Sequence, residues 1–171
     1  MGKDLKGKEL GKGIIQRKDK KYQARFTSLI AATADITHSK NQYKIFDALR
    51  QQDNNWKDEE YVNGVARVDM VNYNCKVAIE YFGDYWHCNP AIYADDYYHK
   101  ILKAYAIDKQ NFDKARLAKI LGYGDAVSLI IVVWEKTFAD MKFEVSTLLK
   151  KIYNIIENHN TSKKEIVWIW N

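Results

Sequence analysis

Cysteine, proline and long apolar stretches are scarce in this chain of 171 residues. The two cysteines, Cys75 and Cys88, cannot build a disulfide framework, so a reducing, cytoplasmic setting is expected. The longest strongly apolar run, Leu129–Trp134, is far too short to cross a bilayer, and no apolar segment follows the basic N-terminus as in a secretory signal. With one proline and no Pro/Gly/Ser-rich linker, this length predicts one compact domain plus an appendage.

Positive charge is concentrated at the N-terminus. The chain has 27 Lys and Arg against 22 Asp and Glu, a net charge of +5. Residues 1–25 hold nine basic and three acidic side chains, so this segment carries +6 and the rest of the chain sums to −1. Because 47% of the residues are hydrophobic and 13% aromatic, the remainder can bury a core. A basic arm on a folded body is therefore expected, and such an arm favours a polyanionic partner.

The order of predicted elements is typical of a small α/β domain with a mixed sheet. Two short strands around a polar turn are predicted within 14–29, and a helix over 40–52. A polar, turn-like stretch at 51–60 precedes a hairpin of 65–71 and 75–82. Helical character follows over 91–121, with a break near Ile107, and then a buried strand at 127–134. An amphipathic helix from Phe138 to Ile156 and a last strand at 165–170 complete the series, with Trp168 and Trp170 expected to pack in the core.

Two carboxylates stand out in the hairpin. Asp69 lies inside its first strand, and Glu80 ends the apolar part of the second. A carboxylate in a core strand is unfavourable unless it is paired with a cation. For a single acid, a salt bridge to Arg67 or Lys76 is the simpler interpretation. For two acids that the hairpin brings together, a site for Mg²⁺ is favoured, since this ion binds carboxylates together with substrate phosphates.

The residues after Glu80 strengthen that interpretation. Gly83 is expected to let the chain turn sharply away from the strand, so that His87 returns toward the strand end. Histidine is the usual proton donor or acceptor near neutral pH.

These motifs resemble the very-short-patch-repair-like endonucleases, a branch of the PD-(D/E)XK nuclease superfamily that includes the EDxHD phage homing endonucleases. The resemblance covers roughly residues 39–135. It is carried by Asp69 and by four short motifs: the segment Ile79 to His87 with its Gly-x-x-Trp-His, the helical Asp113-x-x-Arg116, Gly122-Tyr123, and the strand end Val132-Val133-Trp134-Glu135. It implies a restriction-endonuclease-like fold, with a mixed central sheet flanked by helices, over residues 37–171.

The resemblance also implies residue roles. Asp69 would bind the metal, with Glu80 and the main-chain carbonyl of Tyr81 as further ligands. His87 would be the general base or acid, paired with Asp113, for which Asp108 is the fallback. Tyr85 and Trp86 would be wedge or packing aromatics against DNA. Mg²⁺ is the implied cofactor, with Mn²⁺ as an alternative.

The chain departs from the family pattern at several positions. Phe82 stands two residues after Glu80, so the superfamily lysine is absent, as in this histidine-using branch. Gln42 stands early in the first helix, where family members often carry Glu. The zinc ligands of the repair enzyme do not line up, since Cys88 and His99 lack their companions, so no structural zinc is expected.

The arm has a resemblance of its own. Residues 9–30 resemble the start of the small three-stranded DNA-binding domain of some tyrosine integrases, related to AP2. The alternative is a generic basic hairpin that touches phosphates, and both bind nucleic acid in a salt-sensitive way. Within this arm, 1–30, the expected DNA contacts are Lys12, Arg17, Lys18, Lys20, Lys21, Tyr22 and Arg25.

Two functions follow as hypotheses. The first is a metal-dependent endonuclease of homing type that acts on double-stranded DNA and nicks one strand unless it forms a homodimer. The second is a nuclease fold without activity that serves as a DNA-binding module, and a restriction or repair nickase is a third option within the enzyme class.

Overall fold

A computed structural model describes residues 39–170 together with the backbone of Ile14–Gln16 and Tyr22–Ala24. The chain divides into two compact units, Met1–His38 and Ser39–Asn171. No helix in the described ranges is both long enough and apolar enough to span a membrane. The strands are β1 (Ile14–Gln16), β2 (Tyr22–Ala24), β3 (Lys57–Val62), β4 (Ala66–Asn72), β5 (Val77–Phe82), β6 (Tyr98–His99), β7 (Ala104–Tyr105), β8 (Leu129–Trp134) and β9 (Glu165–Ile169). The helices are α1 (Lys40–Gln52), α2 (Ala106–Gly122), α3 (Glu135–Asp140) and α4 (Val145–Asn158).

The first unit contains an antiparallel pair. Strands β1 and β2 pair with Ile14 opposite Ala24, and these are the two short strands that the sequence predicts. The side chain of Tyr22 and the predicted DNA-contacting residues on either side lie outside the described residues. The latter are Lys12, Arg17, Lys18, Lys20, Lys21 and Arg25.

The second unit is built on a five-stranded mixed sheet in the order β3-β4-β5-β8-β9. Strands β3, β4 and β5 are antiparallel neighbours, whereas β8 runs parallel to both β5 and β9. All six residues of β5 and all six of β8 are buried, as expected for central strands covered on both faces. The predicted α/β class with a mixed sheet flanked by helices is therefore confirmed.

Each face of the sheet has its own apolar core. One contains Ile45 and Leu49 of α1 together with Leu148 and Ile152 of α4. The other contains Leu117 and Ile120 of α2 together with alternate residues of β5 and β8. Because successive strand residues point to opposite faces, Glu80 shares the α2 face with Ala78 and Phe82. Helix α2 is thus the element that supplies side chains to that acid.

Most predicted elements are present. Helix α1 has the predicted bounds, and the Ser39 side chain caps it by accepting a hydrogen bond from the Gln42 backbone N–H at 3.1 Å. The hairpin corresponds to β4 and β5, and the last strand to β9.

Three predictions of secondary structure were wrong. Within the turn-like stretch 51–60, β3 begins at Lys57, because its charged side chains suit a strand at the exposed edge of the sheet. Helix α2 begins only at Ala106, since residues 91–105 form turns and the small β6–β7 pair around buried His99. The amphipathic helix is divided into α3 and α4, because Lys142 and Phe143 between them have positive φ angles of 55° and 56°.

Candidate active site

The strands β4 and β5 present two carboxylates at one end of their pairing. Met70 lies opposite Ile79 in the ladder, so Asp69 and Glu80 are the next residues on their strands. At this point a carboxylate oxygen of Asp69 accepts a hydrogen bond from the Tyr81 backbone N–H, at 2.7 Å. The two acids that the sequence singles out are therefore neighbours, and Asp69 is tied to β5 by its side chain.

Both acids are held in conditions that oppose ionisation. Burial raises the pKa of Asp69 well above its usual range, and repulsion from Glu80 adds to the rise. Burial also raises the pKa of Glu80, although the Arg116 guanidinium counteracts this effect. Two buried carboxylates that repel each other are expected to attract a cation.

Arg116 supplies one positive charge to this cluster. Its Nη1 lies 2.9 Å from Oε1 of Glu80 and also donates to the main-chain oxygen of Arg67 at 3.0 Å. The sequence-based alternative, that one of the two acids is salt-bridged, therefore holds for Glu80, but its partner is Arg116 rather than Arg67 or Lys76. Arg67 contacts Glu59 instead, at 3.6 Å. The cationic partner of Glu80 thus comes from helix α2, which is distant from the hairpin in the sequence. Residues near Glu80 in the sequence could not have indicated it.

His87 and Asp113 form the second half of the site. Nδ1 of His87 lies 2.8 Å from Oδ2 of Asp113, which is only 2% exposed. Lys109, one helical turn earlier, contacts the other oxygen of the same carboxylate. Asp108, the fallback residue, is exposed. The structure thus brings Asp113 rather than Asp108 to the histidine.

The pair favours a neutral imidazole beside a charged carboxylate. Burial lowers the pKa of His87 below its usual value, and Asp113 offsets only part of this effect. Burial acts to raise the pKa of Asp113, but the hydrogen bond from His87 and the charge of Lys109 leave it lowered. A charged carboxylate accepts from Nδ1–H, so the lone pair of the neutral ring is placed on Nε2. That nitrogen can accept a proton.

The His87 ring is fixed by packing as well as by hydrogen bonding. It stacks on Phe82 with 3.8 Å between ring centroids and 7° between ring planes. Arg116 lies over the same Phe82 ring, at 6.0 Å from its centroid. Phe82 thus supports the histidine ring by direct stacking.

The loop between β5 and His87 is held by β8 rather than by a special glycine conformation. Gly83 does not have a positive φ, and an added Cβ there would make only ordinary contacts with Trp86 and Glu135. The chain does turn away from the strand after Gly83, as expected, but the turn does not require a glycine there. Glu135, which directly follows β8, accepts a hydrogen bond from the Asp84 backbone N–H at 3.2 Å, and His87 N donates to Gly83 O at 3.1 Å.

The remaining predicted residues lie on either side of this loop. Tyr85 packs against buried His99, with 4.2 Å between ring centroids, so it is a packing residue. Trp86 is 48% exposed and forms part of the surface. Tyr81 sends its ring to the opposite core, while its backbone, next to Glu80, is bound by Asp69.

Sequence reasoning missed a cavity beside His87. It measures about 170 Å³ and is lined on one side by Trp134, Trp168 and Trp170. The core packing predicted for Trp168 and Trp170 is only partly observed, since Trp170 is 46% exposed. Trp168 lies on β9 and Trp170 directly follows it, and this spacing of two residues indicates a common face, but the sequence does not show that this face meets the end of β5.

No group of three or more His, Cys, Asp or Glu side chains with metal-binding geometry occurs among residues 39–170. Of the two cysteines, Cys75 contacts Asn72 O and buried Cys88 contacts Tyr85 O. Asp69 and Glu80 therefore form an acidic pair rather than a three-ligand group.

Comparisons with protein families, with curated proteins and with solved structures gave no significant match to this chain. The function is therefore inferred from the site itself.

Proposed function

We propose that this protein is a metal-dependent DNA endonuclease that hydrolyses phosphodiester bonds. The observation that carries the proposal is the convergence of a His87–Asp113 pair with the buried acids Asp69 and Glu80 around Arg116. Electrostatic coupling links Arg116 to all three carboxylates, and its own charge acts on His87. A proton acceptor beside a cation-attracting acidic pair is the arrangement that phosphodiester hydrolysis requires.

The acids fit a divalent cation of the hard, oxygen-preferring kind. No ion pair reaches Asp69 among the described residues, and its one hydrogen bond comes from Tyr81 N. Mg²⁺ is commonly held by one or two carboxylates with waters and substrate phosphates completing its shell, so Asp69, Glu80 and the Tyr81 carbonyl would suffice. Mn²⁺ would bind the same oxygens. Such an ion supplies charge stabilisation at the phosphate and a more acidic water.

Proton transfer and the positioning of the histidine are assigned to side chains of the protein itself. His87 accepts a proton from water at Nε2, since its ring is neutral and Asp113 holds Nδ1–H. Asp113 keeps the ring oriented and stabilises the positive charge that the ring acquires. Glu135 and Phe82 hold the loop and the ring in place. Each of these roles depends on a contact within the second unit.

DNA contacts are assigned to two regions. The arm, with its charge of +6, is proposed to bind phosphates in a salt-sensitive manner. Exposed Trp86, one residue before His87, is proposed to contact DNA at the cleavage site.

Deleting residues 1–25 should weaken DNA binding and reduce the dependence of this binding on salt concentration. An unchanged affinity for DNA would contradict the role of the arm.

A DNA-binding module without catalysis is the second candidate. The observation in its favour is that Glu80 already has a cationic partner in Arg116, at 2.9 Å. If this pair persists on DNA, Asp69 has no second carboxylate to share a metal ion.

A plasmid assay separates the two candidates. Supercoiled plasmid is incubated with the wild-type protein in Mg²⁺ or in EDTA, in parallel with Asp69→Ala and His87→Ala. The endonuclease proposal expects nicked or linear plasmid for wild type in Mg²⁺ and intact plasmid in the other samples. Equal results for all three proteins would contradict the assigned site.

A further inference from the structure

The cavity beside His87 has an aromatic wall made of three tryptophan rings. Val132 lies opposite Trp168 in the parallel β8–β9 ladder, so Trp134 and Trp170, two residues farther along, reach the same edge of the sheet. Exposure rises outward from Trp134 at 2% to Trp170 at 46%. The cavity therefore runs from the core to the surface along one set of rings.

The planes of the three rings are inclined to one another by 20° to 33°. Their centroids lie 5.9 Å apart for Trp134 and Trp168, with 25° between planes, and 6.2 Å apart for Trp168 and Trp170, with 20° between planes. Flat, similarly oriented rings beside an open cavity favour a flat guest, because stacked or offset aromatic pairs maximise contact between faces.

The other side of the cavity is polar. His87 and Asp113 border it, and Lys114 lies at its exposed rim without an ion pair among the described residues. The indole Nε1–H of Trp134 is buried and has no acceptor in the described part of the chain. A guest with acceptor atoms on its ring and a negative charge attached suits these surroundings better than a purely apolar one.

We propose that this cavity binds a nucleobase of the substrate, next to the phosphate that His87 serves. The idea rests on the proposed nuclease function, because a nucleotide of the DNA substrate presents a flat, acceptor-rich ring within one sugar of a phosphate. Stacking on aromatic side chains is tolerant of base identity, since every base has a π-face. The site would thus fix the position of the strand without reading its sequence.

An aromatic side chain of a protein is the competing guest. It would stack equally well, but it has no phosphate to contact Lys114 or to place beside His87. The choice between the two guests can be made by experiment.

The five tryptophans give a direct test by NMR of the full-length, ¹⁵N-labelled protein. Their indole signals are assigned by single Trp→Phe substitutions, and buried Trp56 serves as the internal control because it does not line the cavity. The probes are deoxynucleoside 5′-monophosphates, 2-deoxyribose 5-phosphate and N-acetyltyrosinamide, without divalent metal. We expect the nucleotides to shift the signals of Trp168 and Trp170 while the signal of Trp56 stays in place.

Several outcomes would overturn the proposal. If 2-deoxyribose 5-phosphate shifts the same signals equally, the base is not recognised. If only N-acetyltyrosinamide shifts them, the guest is a protein side chain. If the nucleotides move Trp86 alone, or no signal, the cavity is not a nucleobase site.

A variant pair measures the strength of the contact. Trp170→Ala, at an exposed position near the chain end, should weaken nucleotide binding roughly 5- to 100-fold, as expected for loss of a base-stacking ring. Tyr61→Ala, which removes an exposed aromatic ring on β3 outside the cavity, should leave this binding unchanged. Equal affinities for wild type and Trp170→Ala would contradict the proposal.

These readouts need neither metal nor cleavage, so they separate the two ideas. Nucleotide binding at Trp168 and Trp170 with no plasmid cleavage would remove the nuclease function and keep the base site. Plasmid cleavage that depends on His87, without nucleotide binding at Trp168 and Trp170, would support the nuclease function and contradict the base site.

Discussion

In the described part of the chain, two histidine–carboxylate contacts occur at opposite ends of the central strand β8, and only one of them forms part of a candidate site. Near the start of β8, His159 Nε2 lies 3.1 Å from Ser128 Oγ and its Nδ1 lies 3.5 Å from Glu165. Beyond the end of the neighbouring strand β5, His87 lies 2.8 Å from Asp113. The first group has the residue types of a nucleophilic triad, and the second has those of a general base.

The surroundings distinguish the two groups. Ser128 is buried and also contacts the main-chain oxygen of Lys76, and none of the three residues lines the cavity beside His87. His87 borders that cavity and is electrostatically coupled to Arg116, which binds Glu80. A histidine–carboxylate pair is therefore a candidate site only where a cavity gives substrate access to the histidine and where other charged side chains lie nearby. Residue identity alone would have selected either group.

The largest expected effect is on cleavage by Asp69→Asn. A bound metal ion contributes several kcal/mol at the phosphate, so its loss should slow plasmid cleavage by about 10³-fold. Glu165→Gln, which alters the acid of the His159 group, is the matched control and should cleave at the wild-type rate. Equal rates for Asp69→Asn and wild type would remove Asp69 from the site.

The next effect is on stability, through Arg116→Met. This change leaves the Glu80 carboxylate buried without its cation, so the free energy of unfolding should fall by about 3–5 kcal/mol. Lys164→Met breaks an exposed pair with Asp125 near the other group and should lower it by no more than about 1 kcal/mol. Urea unfolding measures both. A double variant, Arg116→Met with Glu80→Met, should recover much of the loss, and similar losses for the two single variants would contradict a special role for Arg116.

Metal binding should stabilise the wild-type protein. At 100 times its dissociation constant, Mg²⁺ should raise the free energy of unfolding by about 2.7 kcal/mol, and Asp69→Asn should abolish this gain.

Without metal, the Asp69→Asn variant should become more stable than the wild-type protein as the pH rises. Because the pKa of Asp69 is raised by folding, the folded protein keeps the Asp69 proton at pH values where the unfolded chain has lost it. The free energy of unfolding of the wild-type protein therefore decreases as the pH rises above the ordinary aspartate pKa. An unfolding series over pH in EDTA that shows no difference would contradict this account.

The smallest effect is a displacement of the pH–rate profile by Asp113→Asn. Burial lowers the pKa of His87 and Asp113 partly restores it, so removing the carboxylate charge should lower this pKa further. The acid limb of cleavage should then move to lower pH, while the plateau falls about 10- to 100-fold as the ring loses its orienting group. Asp108→Asn on the same helix should change neither. An acid limb that moves to higher pH would show that His87 does not titrate as proposed.

Much of the fold could be predicted because local patterns determine it. Helix α1 follows from the Ser39 cap and its apolar face, and β8 from a run of buried branched residues. Strand β3 was missed because an exposed edge strand need not show apolar alternation. The region before α2 was missed because its aromatic residues pack on one another rather than on a helix face, as in the contact of Tyr93 with Tyr97.

The candidate site was predictable in its members but not in its connections. Asp69, Glu80 and His87 were selected because acids in apolar strands and a histidine after a strand are unusual, whereas Asp113 was selected only through the family resemblance. The pairing of Glu80 with Arg116, 36 residues later, and the approach of Trp168 and Trp170 to His87 are long-range contacts. Only the packing of α2 and β9 on the sheet produces them.

The role of His87 as general base can be tested by comparing His87→Ala with His159→Ala in one plasmid-cleavage time course with Mg²⁺. We expect His87→Ala to lose about 10²- to 10⁴-fold in rate, as for removal of a general base, while His159→Ala cleaves at the wild-type rate. A His87→Ala protein that cleaves as fast as His159→Ala would contradict the assignment of the site.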